Sequence, residues 1–361
     1  MSHPMENAKA SIETMMRKYA AKDLPPVGRF HYHQGVFLSG VWQCGELTGE
    51  ERYLNYVQQW VDSCIDGDGN ILNCDDGQMD DLQPGILVYP LYRKTKDARY
   101  KKVLDTVSAA VLNMPKLPDG GNWHKSHTPH QMWLDGLYMG GPVTAEYGAT
   151  FDHPEYFDFV AKQVKLMRAH TRDEKTGLWF HAYDESKEQP WADPETGLSP
   201  EFWGRSIGWV PVAILNDLDY IPETHPDYTV LRDIAVELLK ALCAFQSEEG
   251  RWYQVVDKGD RPDNWLENSC SCLYAAGLAK AVRLGFLPRE YAERADRAYE
   301  AVVASLSHEG EDLIVDNVCI GTGVGDYAFY VARPTSANDL HGVGAFLIMC
   351  AEIERLRRMC S

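Results

Sequence analysis

The run HKSHTPHQMWLDGLYMGG, residues 124 to 141, places His124, His127 and His130 at three-residue spacing ahead of Trp133 and Asp135. Three histidines in series raise the question of a metal, which needs ligands converging from one face or from fixed turns. Pro129 and the preceding PDGGNW favour irregular chain up to about residue 131, so no helical face aligns the rings. No carboxylate stands at the spacing of the helical zinc motifs. The expectation is no metal, with His127 and His130 as loop or capping groups. Asp135 beside Trp133 is then either a carboxylate in an aromatic cup or an ordinary helix cap.

Groups of the same kind recur along the chain. They are His31 and His33, Asp80 and Asp81 of QMDDLQPG, Trp203, Arg205 and Trp209 of FWGRSIGW, Glu267 and Asn268, and Asn338, Asp339 and His341 of ANDLHGVG. Each group precedes or opens a segment with helical periodicity. Helical patterns cover roughly 7–22, 33–48, 50–65, 83–95, 98–113, 131–148, 155–170, 204–218, 228–247, 268–284, 289–305 and 338–357. Turn sequences such as DGDGN, LPDGGN, DEKTG and SEEG separate them and favour antiparallel hairpins. The stretches 171–203, 250–267 and 309–337 read as loop insertions with room for short strands.

The helical segments alternate in kind. YAERADRAYEAVVASL and its counterparts carry charge along one face, as an outer helix must. GLYMGGPVTAEYG, SIGWVPVAILNDL, SCLYAAGLAKAV and GVGAFLIMCAEI are apolar over more of their circumference and rich in Gly and Ala. Six inner helices ringed by six outer ones make an all-α (α/α)6 barrel, read here as one domain over residues 1–361. If the inner helices run parallel, every polar group above converges on one mouth with the positive ends of the helix dipoles, a setting that favours an anion.

Composition limits the ligand. A formal charge of −18 with no Lys/Arg run excludes a polyanion such as nucleic acid, and disfavours an anionic membrane surface. No stretch approaches eighteen apolar residues, and the start lacks a basic-then-apolar leader, so a cytoplasmic location is expected. Nine scattered cysteines read as free thiols, and Cys270 and Cys272 as buried small side chains. GTGVG at 321–325 lacks the strand and helix context of a dinucleotide fingerprint and reads as a flexible turn, so no cofactor is expected. Trp133, Trp203 and Trp209 beside charged groups suit stacking on sugar rings.

Six segments in order, GNWHKS, MWLDGLYMGGP, LWFHAYDE, FWGRSIGWV, LENSCSCLYAAGL and NDLHGVGAFLIMCAEI, resemble the unsaturated rhamnogalacturonyl hydrolases, glycoside hydrolase family 105, and are similar to the family 88 unsaturated glucuronyl hydrolases. The resemblance spans nearly the whole chain. It implies catalytic carboxylates at Asp135 and Asp80, and a sugar pocket built from His124, Lys125, Trp133, Met139, His181, Trp203, Arg205 and Trp209, with His33 and Arg333 matching less closely. RFHYHQGVFLSG departs from the pattern by placing histidine where an aromatic is expected, and the region after GVGDYAFYVARPTS is where such enzymes vary and select the leaving sugar.

The implied substrate is a small oligosaccharide ending in a 4,5-unsaturated uronate, taken by a monomer or weak homodimer. Asp135, kept neutral by desolvation against Trp133 and Met139 and by the like charge of an ionised Asp80, would protonate C4. Three alternatives stand beside this reading: an unsaturated glucuronyl hydrolase acting on glycosaminoglycan fragments, a sugar epimerase using histidine pairs, and a sugar-binding protein in which both carboxylates are caps.

Overall fold

The computed structural model describes residues 2–360, with the side chain of Cys360 outside the described residues. Twelve long helices and one short one follow in order: α1 (Pro4–Lys18), α2 (Tyr32–Thr48), α3 (Glu51–Ser63), α4 (Val88–Thr95), α5 (Ala98–Asn113), α6 (Asp135–Phe151), α7 (Glu155–Thr171), α8 (Gly204–Asp217), α9 (Tyr228–Cys243), α10 (Asn268–Arg283), α11 (Tyr291–Ala304), the short α12 (Tyr327–Val331) and α13 (Leu340–Cys360). The inner helices form a closed ring. α2 meets the turn leading into α4, that turn meets α6, and α6–α8, α8–α10, α10–α13 and α13–α2 complete the circle. This is the (α/α)6 barrel that the alternation of helix types implied.

Small residues let the inner helices approach. A side chain on Gly344 of α13 would come within 2.5 Å of the Phe37 backbone of α2, and one on Gly208 of α8 within 2.8 Å of Leu273 of α10. Outer helices show the complementary pattern: α3 buries Tyr53, Tyr56, Val57, Trp60 and Val61 and leaves its remaining face wet. Among the described residues no helix is long and apolar enough to cross a membrane.

Two expected helices start later than their periodicity suggests. The 83–95 segment opens as a 3-10 turn over Gln83–Leu87, where Pro84 and Gly85 interrupt regular helix. The 131–148 segment opens as a strand, β1 (Gln131–Trp133), antiparallel to β2 (Ala182–Asp184). Two further antiparallel pairs follow, β3 (Trp252–Tyr253) with β4 (Leu266–Glu267) and β5 (Ser307–Glu309) with β6 (Asp312–Ile314). The β1–β2 pair fixes the chain that delivers Asp135 into position at the first residue of α6.

Candidate active site

The starts of the inner helices do gather at one mouth. Tyr32 is the first residue of α2, Asp135 of α6 and Asn268 of α10, while Arg205 is the second of α8. A cavity of about 230 Å³ opens there, walled by Tyr32, Asp80, His124, Lys125, Trp133, Asp135, Trp203, Arg205 and the loop Gly321, Thr322 and Gly323. The two carboxylates therefore share one cavity.

Their surroundings differ. Asp80 accepts from Lys125 Nζ at 2.7 Å and lies 3.3 Å from His124 Nε2. Burial pushes its carboxyl up, but the charges and hydrogen bonds of His124 and Lys125 outweigh that and hold it far below the carboxylate range. Asp80 is ionised, as expected. Asp135 is 13% exposed at its side chain, toward the cavity, and sits 3.1 Å from His181 Nε2. Burial pushes Asp135 up as well, yet the hydrogen bond and charge of His181, with a smaller contribution from His124, hold it below its ordinary value despite the charge of Asp80. The free protein thus carries an ionised Asp135. This corrects the expectation of a neutral acid at rest, which had left His181 out of account.

His181 is itself fully buried, and burial lowers its own affinity for a proton. Its Nδ1 lies 2.7 Å from the hydroxyl of Tyr330, which in turn accepts from the Gly325 N–H at 3.3 Å. In the neutral ring the Tyr330 hydroxyl donates to Nδ1, and Nε2–H donates to Asp135. With both nitrogens engaged, His181 stands behind the carboxylate and does not line the sugar pocket, a second correction.

The cationic and aromatic walls are tightly braced. Arg205 is 1% exposed, donates to the carbonyls of Cys319 at 2.6 Å and Ile320 at 2.8 Å and to Ser269 Oγ at 3.4 Å, and lies 4.6 Å from the centre of the Trp203 ring. Glu267, the N-cap of α10, accepts from the Cys319 N–H at 3.0 Å and ties the same loop to the helix. Trp203 donates from Nε1 to Gln254 and stacks on Tyr330. Trp133 stacks on His124 at 4.7 Å, with Lys125 Nζ 5.5 Å from its ring centre.

Four other expected pocket residues fall elsewhere. Met139 is four residues into α6 and Trp209 five into α8, so each lies about one turn or more below the mouth; both are 1% exposed, and Trp209 stacks on Tyr138. They are core side chains. Arg333 reaches the mouth indirectly, donating to the Gly321 carbonyl at 2.6 Å and to Thr322 Oγ1 at 3.1 Å. His33 lies behind Gly321, stacks on His31 and meets His341 edge-on. His127 and His130 occupy the loop before β1, as the proline implied.

The sequence reading missed three contributors. Tyr32 stands between the two noted histidines of HYHQG, and its place as first residue of an inner helix was the available signal. Thr322 belongs to the GTGVG segment, which is irregular chain after a bend at Gly321 and forms a wall of the cavity, held by Arg205 and Arg333. Tyr330 lies in GVGDYAFYVARPTS, a stretch quoted only to mark where the variable region begins. Cys270 and Cys272 are buried free thiols.

Helix N-termini surrounding a cavity with two carboxylates, stacked aromatics and braced cations define a carbohydrate-processing helical barrel. The family model described as Glycosyl Hydrolase Family 88 matches residues 6–357, and a family 105 glycoside hydrolase structure from C. acetobutylicum ATCC 824 is 33% identical with a TM-score of 0.91, covering 96% of this chain and 99% of that one: the chain belongs to this group of glycoside hydrolases and acts on glycosidic linkages of oligosaccharides. It is also similar to the unsaturated rhamnogalacturonyl hydrolase YesR of Bacillus subtilis (strain 168), 26% identical over 298 residues, 80% of this chain and 79% of that one. An unsaturated glucuronyl hydrolase from Bacillus sp. GL1, 17% identical over 99% of this chain and 96% of that one, shares the fold with a TM-score of 0.73.

Proposed function

We propose that the protein releases unsaturated galacturonate from the non-reducing end of lyase-generated rhamnogalacturonan or pectin oligosaccharides, with Asp135 as general acid and base. The observation that carries this reading is the carboxylate of Asp135, open to the cavity on one side and bonded to a buried histidine on the other, across from an ionised Asp80. The likeness to YesR supports the choice of aglycone class. Unpaired buried cysteines support a reducing, cytoplasmic setting, and ring closure between α13 and α2 supports residues 1–361 as one catalytic unit.

The terminal uronate is a vinyl ether conjugated to a carboxylate. Its carboxylate enters beside Arg205 and Lys125, and the added negative charge and lost water raise the proton affinity of Asp135, which takes up a proton in the complex. Asp135 then donates that proton to C4 while positive charge develops on C5 and the ring oxygen, stabilised by Asp80 in a field moderated by Lys125 and His124. Water adds at C5 and gives its proton back to Asp135. The hemiketal opens and the leaving sugar departs without attack at the anomeric carbon, so the carboxylate separation that sorts inverting from retaining enzymes does not apply.

The test is incubation with a lyase-generated unsaturated rhamnogalacturonan disaccharide, following the double-bond absorbance. Loss of the absorbance with release of the aglycone is the expected result; an unchanged absorbance removes the reading. Parallel incubation with unsaturated glucuronyl disaccharides ranks the aglycones by kcat/KM.

A further inference from the structure

Beside the cavity, and outside the chemistry above, His33, Asp339 and His341 each turn one ligand-type atom toward the other two, with all three atoms within 4.8 Å of one another. Asp339 Oδ1 is 2.9 Å from His341 Nδ1 and 3.7 Å from His33 Nε2. Two nitrogen or oxygen ligands on one zinc-sized ion sit up to about 4.2 Å apart, twice the ~2.1 Å bond, so small side-chain adjustments bring all three within reach.

The protonation pattern supplies a second observation. His341 Nε2 is 3.0 Å from the carbonyl of Cys319, and a carbonyl only accepts, so Nε2 carries the proton. In the neutral ring Nδ1 is then a bare lone pair. That atom is buried in a residue 0% exposed, and the group facing it is the Asp339 carboxylate oxygen at 2.9 Å, another ligand-type atom of the same cluster. Fixing one imidazole nitrogen on a backbone carbonyl while the other points its lone pair into a shared space is how histidine ligands are oriented.

We infer that His33, Asp339 and His341 bind one first-row divalent cation at the rim of the cavity, with two imidazoles and a carboxylate as ligands. The donor set selects metals that accept imidazole, such as zinc or nickel, over magnesium or calcium, which prefer oxygen. A side chain on the cavity-wall residue Gly321 would lie 3.8 Å from both His33 Cε1 and Tyr32 Oη, so the ion adds positive charge directly behind that wall. The competing account is a direct His341–Asp339 side-chain pair at 2.9 Å, which needs no metal.

Calorimetric titration of the chelator-stripped full chain with Zn²⁺ and with Ni²⁺, joined to metal analysis of the protein as purified, separates the two. One equivalent should bind, with a matching rise in Tm, and His33→Ala should weaken binding by at least ~10-fold. His33 is partly exposed, so this variant is expected to fold, and Asp339→Asn, near-isosteric, provides an independent second loss checked by circular dichroism. Absence of stoichiometric binding, or binding that survives both substitutions unchanged, overturns the site. Neither outcome depends on the turnover assay, so the inference stands or falls separately from the proposed function.

Discussion

The two ends of the barrel hold comparable sets of charged groups in different arrangements. Where the inner helices begin, Lys125 and Arg205 face a cavity of about 230 Å³ together with Asp80 and Asp135. Where the inner helices finish, a larger cavity of about 340 Å³ is lined by Arg93, Glu146, Asp219, Lys280, Arg283 and Glu352, among others. There Arg93 pairs with Glu146, Lys280 with Asp219 at 2.5 Å, and Arg283 with Glu352 at 3.0 Å. Those cations also complement the negative ends of α4 and α10, where they fall in the last turn. The larger cavity is thus a network of internally neutralised pairs. At the smaller one the helix ends add positive character and a carboxylate bonded by a neutral histidine faces open space. Cavity size misleads here; the unequal environments of two carboxylates mark the reactive end.

If that contrast is right, Asp135→Asn should have the largest effect, lowering kcat by about 10²–10⁴-fold with the fold intact. The pH profile carries the matching sign. Because the free carboxyl of Asp135 is held below its ordinary value, its protonated form becomes scarcer as pH rises, so wild-type kcat/KM should fall from mildly acidic toward neutral pH. A flat profile over that range, or near-normal turnover by the Asn variant, breaks the assignment.

Next in size is Tyr330→Phe, which removes the donor that fixes the His181 tautomer; kcat should drop roughly 10-fold with KM nearly unchanged. A rise in KM alone would show that Tyr330 serves only the loop. Arg205→Lys keeps the charge but loses the fork that holds two loop carbonyls, and should raise KM about 10-fold with a smaller change in kcat. Smallest for activity is Arg93→Met at the opposite end. It leaves Glu146 buried without its partner and should cost about 1–2 kcal/mol in urea unfolding, since Arg93 is half exposed and solvent screens the pair, while kcat/KM stays within ~2-fold. Loss of activity in that variant would mean the two ends communicate.

Much of this organisation is legible in the sequence, because inner and outer helices differ in how much of their circumference is apolar. Of the mouth residues, Trp133, Asp135, Trp203 and Arg205 were found because they stand at or next to a helix start, while His124 and Lys125 came from the family resemblance. Trp209 was misplaced by the helix-start logic carried one turn too far, since periodicity locates a helix but blurs its first residue and a turn of about 5.4 Å separates cavity from core; Met139, carried over from the resemblance, lies a turn too deep in the same way. The β1–β2 pairing that sets this start is a contact between segments about fifty residues apart, which local pattern does not report. The ionisation of Asp135 was misjudged for a related reason. Its partner His181 and the tyrosine behind it come from segments distant in sequence, so the reading weighed desolvation and the charge of Asp80 without the histidine that outweighs them.

The seam between α13 and α2 also constrains how the molecule is made. Five of the six inner helices are synthesised before the one that closes the circle, and until α13 arrives the apolar flanks of α2 and α10 have no neighbour on that side. Both carboxylates are synthesised well before the segment 319–323 opposite them and the closing helix. Competence for catalysis is therefore gained only once α13 is made, and a chain halted between α10 and α13 would present a sticky, inactive arc to chaperones and proteases.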